Sequence, residues 1–346
     1  MLIWRSNRVR SGEKINYDIR PGKSAERRML CDLLHLLQAN TKFFSPQQYV
    51  GMGSKYFNDF LLMHNEFGFS DMISIEGDEE SINRYEFNKP LNCIEIKSGM
   101  TSAVLPSIEW DQTNPSVVWL DYDGWIEKYM IEDTKDLIRL LKPGSVFFIS
   151  INPSISENEL RVEQDEVIGD DVKRIVTRIS RVKWLRDRVE EYFTNDINEK
   201  MLAGQEKANT IKKIFDDAME EAIVAMNILE GKQLSYRQLL FVKYQDGADM
   251  LTFGGIILDQ NMVNELDLAN MSEKRDFIIE SKDEKPWTIK IPRLTYKEVQ
   301  AILKVMPLSE GDSHDLSEHG IPIEEVENFS KLYRYYPHFV QALVTS

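Results

Sequence analysis

Residues 47–54 read Gln-Gln-Tyr-Val-Gly-Met-Gly-Ser, in which an apolar pair runs into two glycines and a serine. From Tyr56 to Phe67, apolar side chains recur at the three- and four-residue spacing of a helix. This stretch predicts a strand, a tight glycine turn and a helix. We expect a positive φ at Gly51, a close approach of the backbone to a ligand at Gly53, and a helix cap at Ser54.

An acidic residue follows the glycine turn at an informative distance. The next apolar run, residues 72–75, ends at Glu76, about 20 residues after Gly53. In folds that bind nucleotides, an acid at the carboxyl end of the second strand holds the hydroxyl groups of a ribose. A plainer interpretation stays open, in which an ordinary strand–helix turn is followed by a surface glutamate.

Strands and helices continue to alternate after Glu76. Helices are predicted over 78–88 and 131–142, and strands over 93–96, 116–120 and 145–151. Five strands separated by helices predict a doubly wound α/β sheet, in which ligands bind at the carboxyl ends of the strands. The residues predicted at those ends are Gly51, Glu76, Ser98, Asp121, Asp123 and Asn152.

The motifs in this order resemble those of class I S-adenosylmethionine (SAM)-dependent methyltransferases. They are Gly-x-Gly-Ser, Ile-Glu-Gly-Asp, Lys-Ser-Gly, Leu-Asp-Tyr-Asp-Gly and Lys-Pro-Gly-Ser, all within residues 17–153. Residues 236–258 read as an antiparallel hairpin that would complete the family's sheet. The resemblance implies a Rossmann-like doubly wound α/β sheet of seven strands, SAM as the cofactor, and methyl transfer as the reaction.

The resemblance also assigns roles to individual residues. The glycine turn would lie against the methionine part of SAM, the acid after the second strand would hold the ribose, and the third strand's turn would border the adenine. The residues assigned to the cofactor are Gly51, Gly53, Ser54, Glu76, Ser98, Gly99 and Asp121. Asp121 and Asp123 are candidates for a catalytic base, and Tyr122 for packing on the acceptor. The two aspartates could instead be a helix cap and a solvated side chain.

A second resemblance bears on the acceptor. Three features are similar to those of the tRNA guanine-N2 dimethyltransferases. They are the basic stretch before the glycine turn, the asparagine at Asn88, and the end of the fourth strand. In those enzymes a proline and an aromatic residue follow the second aspartate, whereas Gly124 follows Asp123 here. An oxygen nucleophile deprotonated by Asp123 fits these residues at least as well as an exocyclic amine.

Basic residues are concentrated in two segments of a chain whose net charge is −15. Residues 5–28 carry eight basic residues against three acidic ones, and residues 173–188 predict a helix with a basic stripe made by Arg174, Arg178, Arg181 and Arg188. Either segment could contact the phosphates of a nucleic acid, RNA above all, or be a solvated face. The residues assigned to the substrate are Arg20, Lys23, Arg27 and Asn152.

Composition predicts a soluble cytoplasmic protein of about two domains without a metal site. No apolar run approaches the ~18 residues needed to span a membrane.

We predict a basic arm and helix at 1–44, a SAM-binding domain at 45–153 and 232–260, a helical insertion at 154–231, and a C-terminal helical lobe at 261–346, where Thr295 caps a helix. A protein partner or a second copy of the chain could bind through the insertion. Two other functions stay open, a small-molecule O-methyltransferase and a non-catalytic SAM-binding subunit of a larger complex.

Overall fold

A computed structural model of the chain describes residues 20–158, 160–168, 171–279, 281, 284–308 and 316–337. For residues 162–168 and 171–175 it describes the backbone alone. The predicted basic arm therefore lies outside the described residues as far as residue 19.

The described residues form one mixed sheet of eight strands and a separate pair of strands. In chain order the strands are β1 Gln48–Gly51, β2 Asp71–Glu76, β3 Ile94–Ser98, β4 Ser116–Trp125, β5 Val146–Asn152, β6 Arg161–Ile168, β7 Asp171–Arg178, β8 Ser235–Gln245, β9 Asp249–Leu258 and β10 Trp287–Thr288.

The large sheet has the order β10-β8-β9-β5-β4-β1-β2-β3. Its neighbouring strands pair in parallel, except that β9 runs antiparallel to both β5 and β8. The predicted doubly wound α/β sheet is confirmed, but the predicted count of seven strands is wrong. The eighth strand, β10, pairs with β8 at the sheet's edge. Its signal in the sequence is the alternation of Trp287, Ile289 and Ile291 with polar residues, which is too short to stand out.

Eleven helices flank the strands in the described part of the chain. They are α1 Pro21–Asn40, α2 Asn58–Phe67, α3 Ile82–Asn88, α4 Thr101–Val104, α5 Lys128–Leu140, α6 Arg181–Val189, α7 Glu206–Leu229, α8 Gln260–Glu265, α9 Leu268–Lys274, α10 Tyr296–Leu303 and α11 Ile323–Leu332. Among these described helices, none combines the length and the apolar character that crossing a membrane would require.

The core has two layers because side chains alternate between the two faces of each central strand. On β4, Val117 and Trp119 face the cluster that contains α1 and α2, whereas Val118 and Leu120 face the cluster that contains α5 and α7. These four side chains are at most 1% exposed. A strand that is apolar on both faces is therefore explained by its position in the middle of the sheet.

The segment between β5 and β8 differs from the predicted helical insertion. Its first part is an antiparallel pair, β6 and β7, in which Arg161 is opposite Arg178. The helix predicted across 173–188 begins only at Arg181, so the expected basic stripe on one helix face is wrong. Gly169-Asp170 between two runs rich in β-branched residues is the turn signal that the helical interpretation overlooked. The second part is helical as predicted and contains the long helix α7.

Two helices in the C-terminal region share a small apolar cluster of their own. It is formed by Val299, Ile302, Leu316, Ile321, Val326 and Phe329. The predicted cap at Thr295 is confirmed, because its hydroxyl accepts from the Glu298 N–H while the Glu298 carboxylate accepts from the Thr295 N–H. The domain boundaries drawn from the sequence stay a prediction.

Candidate active site

The glycine turn and the acid at the end of β2 are in direct contact. The N–H of Gly53 donates to the Ser74 hydroxyl at 2.9 Å, and the N–H of Ser54 donates to Glu76 Oε1 at 2.7 Å. The Ser74 hydroxyl also donates to Glu76 Oε1, at 2.7 Å. Because Gly51 is opposite Ser74 in the parallel pairing, the turn folds over the carboxyl end of β2.

Two of the three local expectations for this turn are wrong. Gly51 is the extended last residue of β1, and the positive φ angles lie instead at Ser54 (52°) and Phe57 (51°). Phe57, not Ser54, occupies the position before α2, and it makes no side-chain cap. A Cβ at Gly53 would lie 2.4 Å from the Phe57 ring and 2.9 Å from the Ser74 hydroxyl. Glycine is thus required here by the packing of the loop itself, and contact with a ligand stays a prediction.

The carboxylate of Glu76 is buried, with 6% of the residue exposed. Burial raises the pKa of Glu76, while the hydrogen bonds from Ser74, Ser54 and Gly53 act in the opposite direction. Among the residues that the structure describes, no cation forms an ion pair with this carboxylate. An acceptor of this kind suits neutral hydroxyl donors, as a ribose has.

The turn after β3 completes this end of the site. Ser98 is opposite Glu76 in the pairing of β2 with β3, and the N–H of Gly99 donates to the Glu76 carbonyl at 3.0 Å. Next to it Met100 is 51% exposed, and its sulfur lies 3.7 Å from where a Cβ on Gly77 would be. A buried carboxylate beside an exposed apolar side chain fits the ribose and adenine of the predicted cofactor.

Asp121, near the end of β4, forms an ion pair with a lysine from α1. Lys23 Nζ lies 2.8 Å from Asp121 Oδ1 and 2.9 Å from Glu26 Oε2, and the Lys23 side chain is 1% exposed. Burial opposes the charge on Asp121, but Lys23, Arg27 and Arg20 prevail and lower its pKa. Asp121 is therefore held ionised, and a proton acceptor with a lowered pKa is a weak general base.

Further polar groups surround Lys23 beneath the ligand edge. Its ammonium group lies 4.1 Å from the centre of the Trp119 ring. Glu26 accepts from the Thr252 hydroxyl, and Ser150 is 2.7 Å from that hydroxyl and 2.9 Å from the Trp119 indole nitrogen. Sequence reasoning missed Glu26, because a single acid on an apolar helix face reads as a solvated residue. Its pKa is raised by burial, against the opposing effect of Lys23.

The start of α1 is fixed by the turn between β8 and β9. The N–H groups of Gly22 and Lys23 donate to the two carboxylate oxygens of Asp246, at 3.1 and 2.8 Å. Pro21 precedes them at a position where a helix needs no N–H donor. Asp246 thus caps a helix that begins more than two hundred residues earlier in the chain, and this cap holds Lys23 against Asp121.

Tyr122 faces the other side of the sheet. It is 5% exposed, its hydroxyl donates to Asp133 Oδ2 at 2.6 Å, and its ring meets that of Tyr129 edge-on at 5.8 Å. Thr101, which follows the β3 turn, donates to the same Asp133 oxygen. Tyr122 was predicted to pack on the acceptor, but the structure does not bring it together with Asp121 and Asp123.

Asp123 and Asn152 lie at the ends of β4 and β5. Asp123 is exposed, and β4 continues past it to Trp125 with a shift of register after Asp121, although the sequence predicted this strand only over 116–120. Asn152 is opposite Trp125, and its side-chain oxygen accepts from the Ser154 N–H at 2.8 Å. Both residues therefore lie at the ligand edge, and their catalytic and binding roles stay predictions.

The cations assigned to the substrate are engaged with acids of the protein. Arg27 forms a hydrogen-bonded ion pair with Asp59 of α2, and Arg20 is 7% exposed near Asp121. Lys23 is occupied by Asp121 and Glu26. All three cations act on the pKa of Asp121, whereas their contact with a substrate stays a prediction.

Comparison with known proteins agrees with this arrangement. A family model described as "Putative O-methyltransferase" matches residues 15–344. The chain belongs to this methyltransferase family. The matched range includes the β6–β7 pair and the C-terminal helices as well as the sheet. The molecule that accepts the methyl group is one substrate of such an enzyme. The weaker resemblance to tRNA guanine-N2 dimethyltransferases stays a prediction.

Solved structures similar to this methyltransferase share little sequence with it. The O-methyltransferase from Bacillus cereus in complex with SAH is 14% identical with a TM-score of 0.36, over 66% of this chain and 80% of that chain. The O-methyltransferase TomG from Streptomyces achromogenes, involved in tomaymycin synthesis and solved with SAM, is 12% identical with a TM-score of 0.35, over 70% and 92%. Scores this low bear on neither the site nor the acceptor of this chain. A search of curated proteins finds no match.

Proposed function

We propose that this methyltransferase binds SAM at the carboxyl ends of β1, β2 and β3 and methylates an oxygen atom of a small molecule. When bound, SAM supplies an electrophilic methyl group and keeps the bonding electron pair on sulfur. Glu76 would accept hydrogen bonds from the ribose hydroxyls, and Met100 would pack on the adenine. The contact that carries this proposal is the hydrogen bond from the Ser54 N–H to Glu76.

That contact supports the proposal because it holds a buried carboxylate against the glycine turn at the ligand edge of the sheet. The loop after β1 and the end of β2 could pack through apolar side chains, as the rest of these strands do. They instead hold an acid whose pKa is raised by burial. Such an unfavourable placement is typical of a binding site.

On the acceptor side, the two aspartates would have different roles. Asp121 stays ionised beside Lys23 and would set the local potential without taking a proton. Asp123 is exposed at the ligand edge and would accept the proton of the attacking hydroxyl. The absence of a proline after Asp123, and the family's description, both favour oxygen over an exocyclic amine.

Methyl transfer is tested by incubating the protein with SAM that carries a deuterated methyl group and an extract of small metabolites. Mass spectrometry should find the label on an oxygen atom. The Asp123→Asn variant should lose about 10²–10⁴-fold in turnover, the usual contribution of a general base. The matched control is Asp187→Asn, which removes an exposed carboxylate paired with Lys183 and should not change turnover.

Two results would contradict the proposal. Label found in RNA or protein but in no small molecule would replace the acceptor class. SAM binding without any turnover would favour a non-catalytic subunit. If Asp123→Asn kept most of its activity, Asp123 would only position the acceptor.

A further inference from the structure

A cleft of about 900 Å³ opens beside the turn between β8 and β9. Because β5 and β8 both run antiparallel to β9, the carboxyl ends of β5 and β8 lie at the same edge of the sheet. The cleft is lined by Pro153, directly after β5, and by Pro21 at the start of α1. Its volume is in the range of small-molecule sites.

Two lysines on the wall of this cleft have no acidic partner among the described residues. Lys207 of α7 and Lys243 of β8 are half-buried, and no described carboxylate forms an ion pair with either ammonium group. A third lysine of the wall, Lys290, is paired with Glu324. The nearby acid, Asp249, accepts a hydrogen bond from the Ser154 hydroxyl at 2.6 Å.

The surroundings of Lys207 are unfavourable to its charge. Burial lowers the pKa of Lys207, and Arg181 and Lys243 lower it further, while Asp249 acts in the opposite direction. Like charges that share a half-buried wall repel one another. A bound anion would remove this repulsion.

A second polar group on the same wall is the buried hydroxyl of Tyr244. Tyr244 is 4% exposed, and within the described part of the chain no atom forms a hydrogen bond with its hydroxyl. Glu26 and Asp121 are close enough to raise the pKa of this phenol further, after the larger effect of burial. Native proteins rarely leave a buried hydroxyl unpaired. Tyr244 therefore connects the lysine wall with the surroundings of Asp121.

We propose that this cleft binds the methyl acceptor, and that the acceptor is a small molecule whose carboxylate or phosphate group contacts Lys207 and Lys243. This inference rests on the proposed function. The anionic end of the acceptor lies at the lysines, and its hydroxyl end extends past Tyr244 towards Asp121 and Asp123 on β4. Two neighbouring ammonium groups without a described ion-pair partner match one anionic group, whereas a nucleic acid strand requires a row of cations along its backbone.

The anion site is tested on the full chain with two probes, inorganic phosphate and succinate, at constant ionic strength maintained with sodium chloride. Apparent dissociation constants follow from the rise of the melting temperature with probe concentration. Lys207→Gln and Lys243→Gln should each weaken probe binding roughly tenfold, the usual effect of losing a charge-assisted hydrogen bond. Lys243→Arg keeps the positive charge and should bind the probes about as well as the parent does. The matched control is Lys304→Gln, which removes an exposed charge directly after α10.

The probes also distinguish the two kinds of anion. If only phosphate binds in a lysine-dependent way, the acceptor carries a phosphate group. If only succinate does, the acceptor carries a carboxylate. The inference would be overturned if the double variant Lys207→Gln/Lys243→Gln bound the probes as well as the parent does. It would also be overturned if neither probe stabilised the parent more than sodium chloride does.

Titration of the same proteins with S-adenosylhomocysteine separates this inference from the proposed function. The lysine variants should keep the parent's affinity for it. A parent that binds S-adenosylhomocysteine without a lysine-dependent anion site would overturn the inference alone. A parent that binds the anion but not S-adenosylhomocysteine would overturn the proposed function, and with it the assignment of the cleft to a methyl acceptor.

Discussion

Lys23 places a full positive charge in the interior of the protein, between two acids and an indole ring. An isolated charge in such a place would cost several kcal/mol, so the ion pairs are needed for Lys23 to be there at all. One lysine serves two carboxylates, and they respond differently, since the pKa of Asp121 is lowered and that of Glu26 is raised. Asp121 is thus the better stabilised anion.

Replacing Lys23 should be costly. Lys23→Met keeps the length of the side chain but leaves Asp121 and Glu26 buried without their cation. We expect the free energy of unfolding to fall by about 3–5 kcal/mol in urea titrations at pH 7. The matched control is Lys213→Met, which breaks an exposed pair with Asp217 on α7 and should cost less than about 1 kcal/mol.

The same ion pair has a pH signature. The pKa of Asp121 is lowered from 3.8, so its contribution to stability is present above that value and is lost as the pH falls through the pKa of the folded state. Asp121→Asn should therefore flatten the loss of stability below pH 3.8. A slope unchanged by Asp121→Asn, or a Lys23→Met variant as stable as the parent, would contradict the role given to this pair.

At the scale of elements, α1 depends on a distant turn for its first hydrogen bonds. Its N-terminus has no side-chain cap from its own sequence, and Asp246 supplies the acceptors. We expect Asp246→Ala to lower the free energy of unfolding by about 0.5–2 kcal/mol, as the loss of a helix cap does. Urea titration measures this.

Asp246→Asn separates the cap from the charge. An amide keeps one acceptor oxygen, so this variant should lose less stability than Asp246→Ala. Gln245→Ala, one residue earlier on an exposed side chain, is the control and should have little effect. Equal stability of Asp246→Ala and Gln245→Ala would show that α1 does not need this cap.

Elements with strong local signals were predictable from the sequence. Helix α1, the β8–β9 hairpin and the Thr295 cap follow from apolar spacing, from a glycine turn and from a capping pattern. The β6–β7 pair was not predictable, because its basic residues also fit the spacing of a stripe on one helix face. The two residues of β10 form a strand through pairing with β8, and their local alternation of apolar and polar residues is too short to predict that pairing.

The candidate site was predictable in its position but not in its contacts. The carboxyl ends of parallel strands converge by topology, so Glu76 and Asp121 were expected at one edge. Their partners could not be read from the chain. Lys23 and Asp246 come from segments far apart in sequence, and the side of β4 that Tyr122 faces depends on which helices cover the sheet.

At the scale of the whole molecule, the polar groups of the candidate site follow the ligand edge of the sheet. The glycine turn with Glu76 lies at one end, over β1 and β2, and the lysine cleft lies at the other, beside β8 and β9. Asp121 at the end of β4 lies between them in the strand order. A cofactor and an acceptor bound at the two ends would meet over β4.

Calorimetric titration with S-adenosylhomocysteine tests this account most directly. The parent should bind it, and Glu76→Gln should bind at least roughly tenfold more weakly, because ribose hydroxyls lose a charged acceptor. Burial raises the pKa of Glu76, so its ionisation at pH 7 lowers the stability of the folded state. The Glu76→Gln variant is neutral, and it should therefore unfold no more easily than the parent. Glu95→Gln, on the exposed face of β3, should bind as the parent does. A parent that does not bind, or a Glu76→Gln variant that binds equally well, would contradict the account.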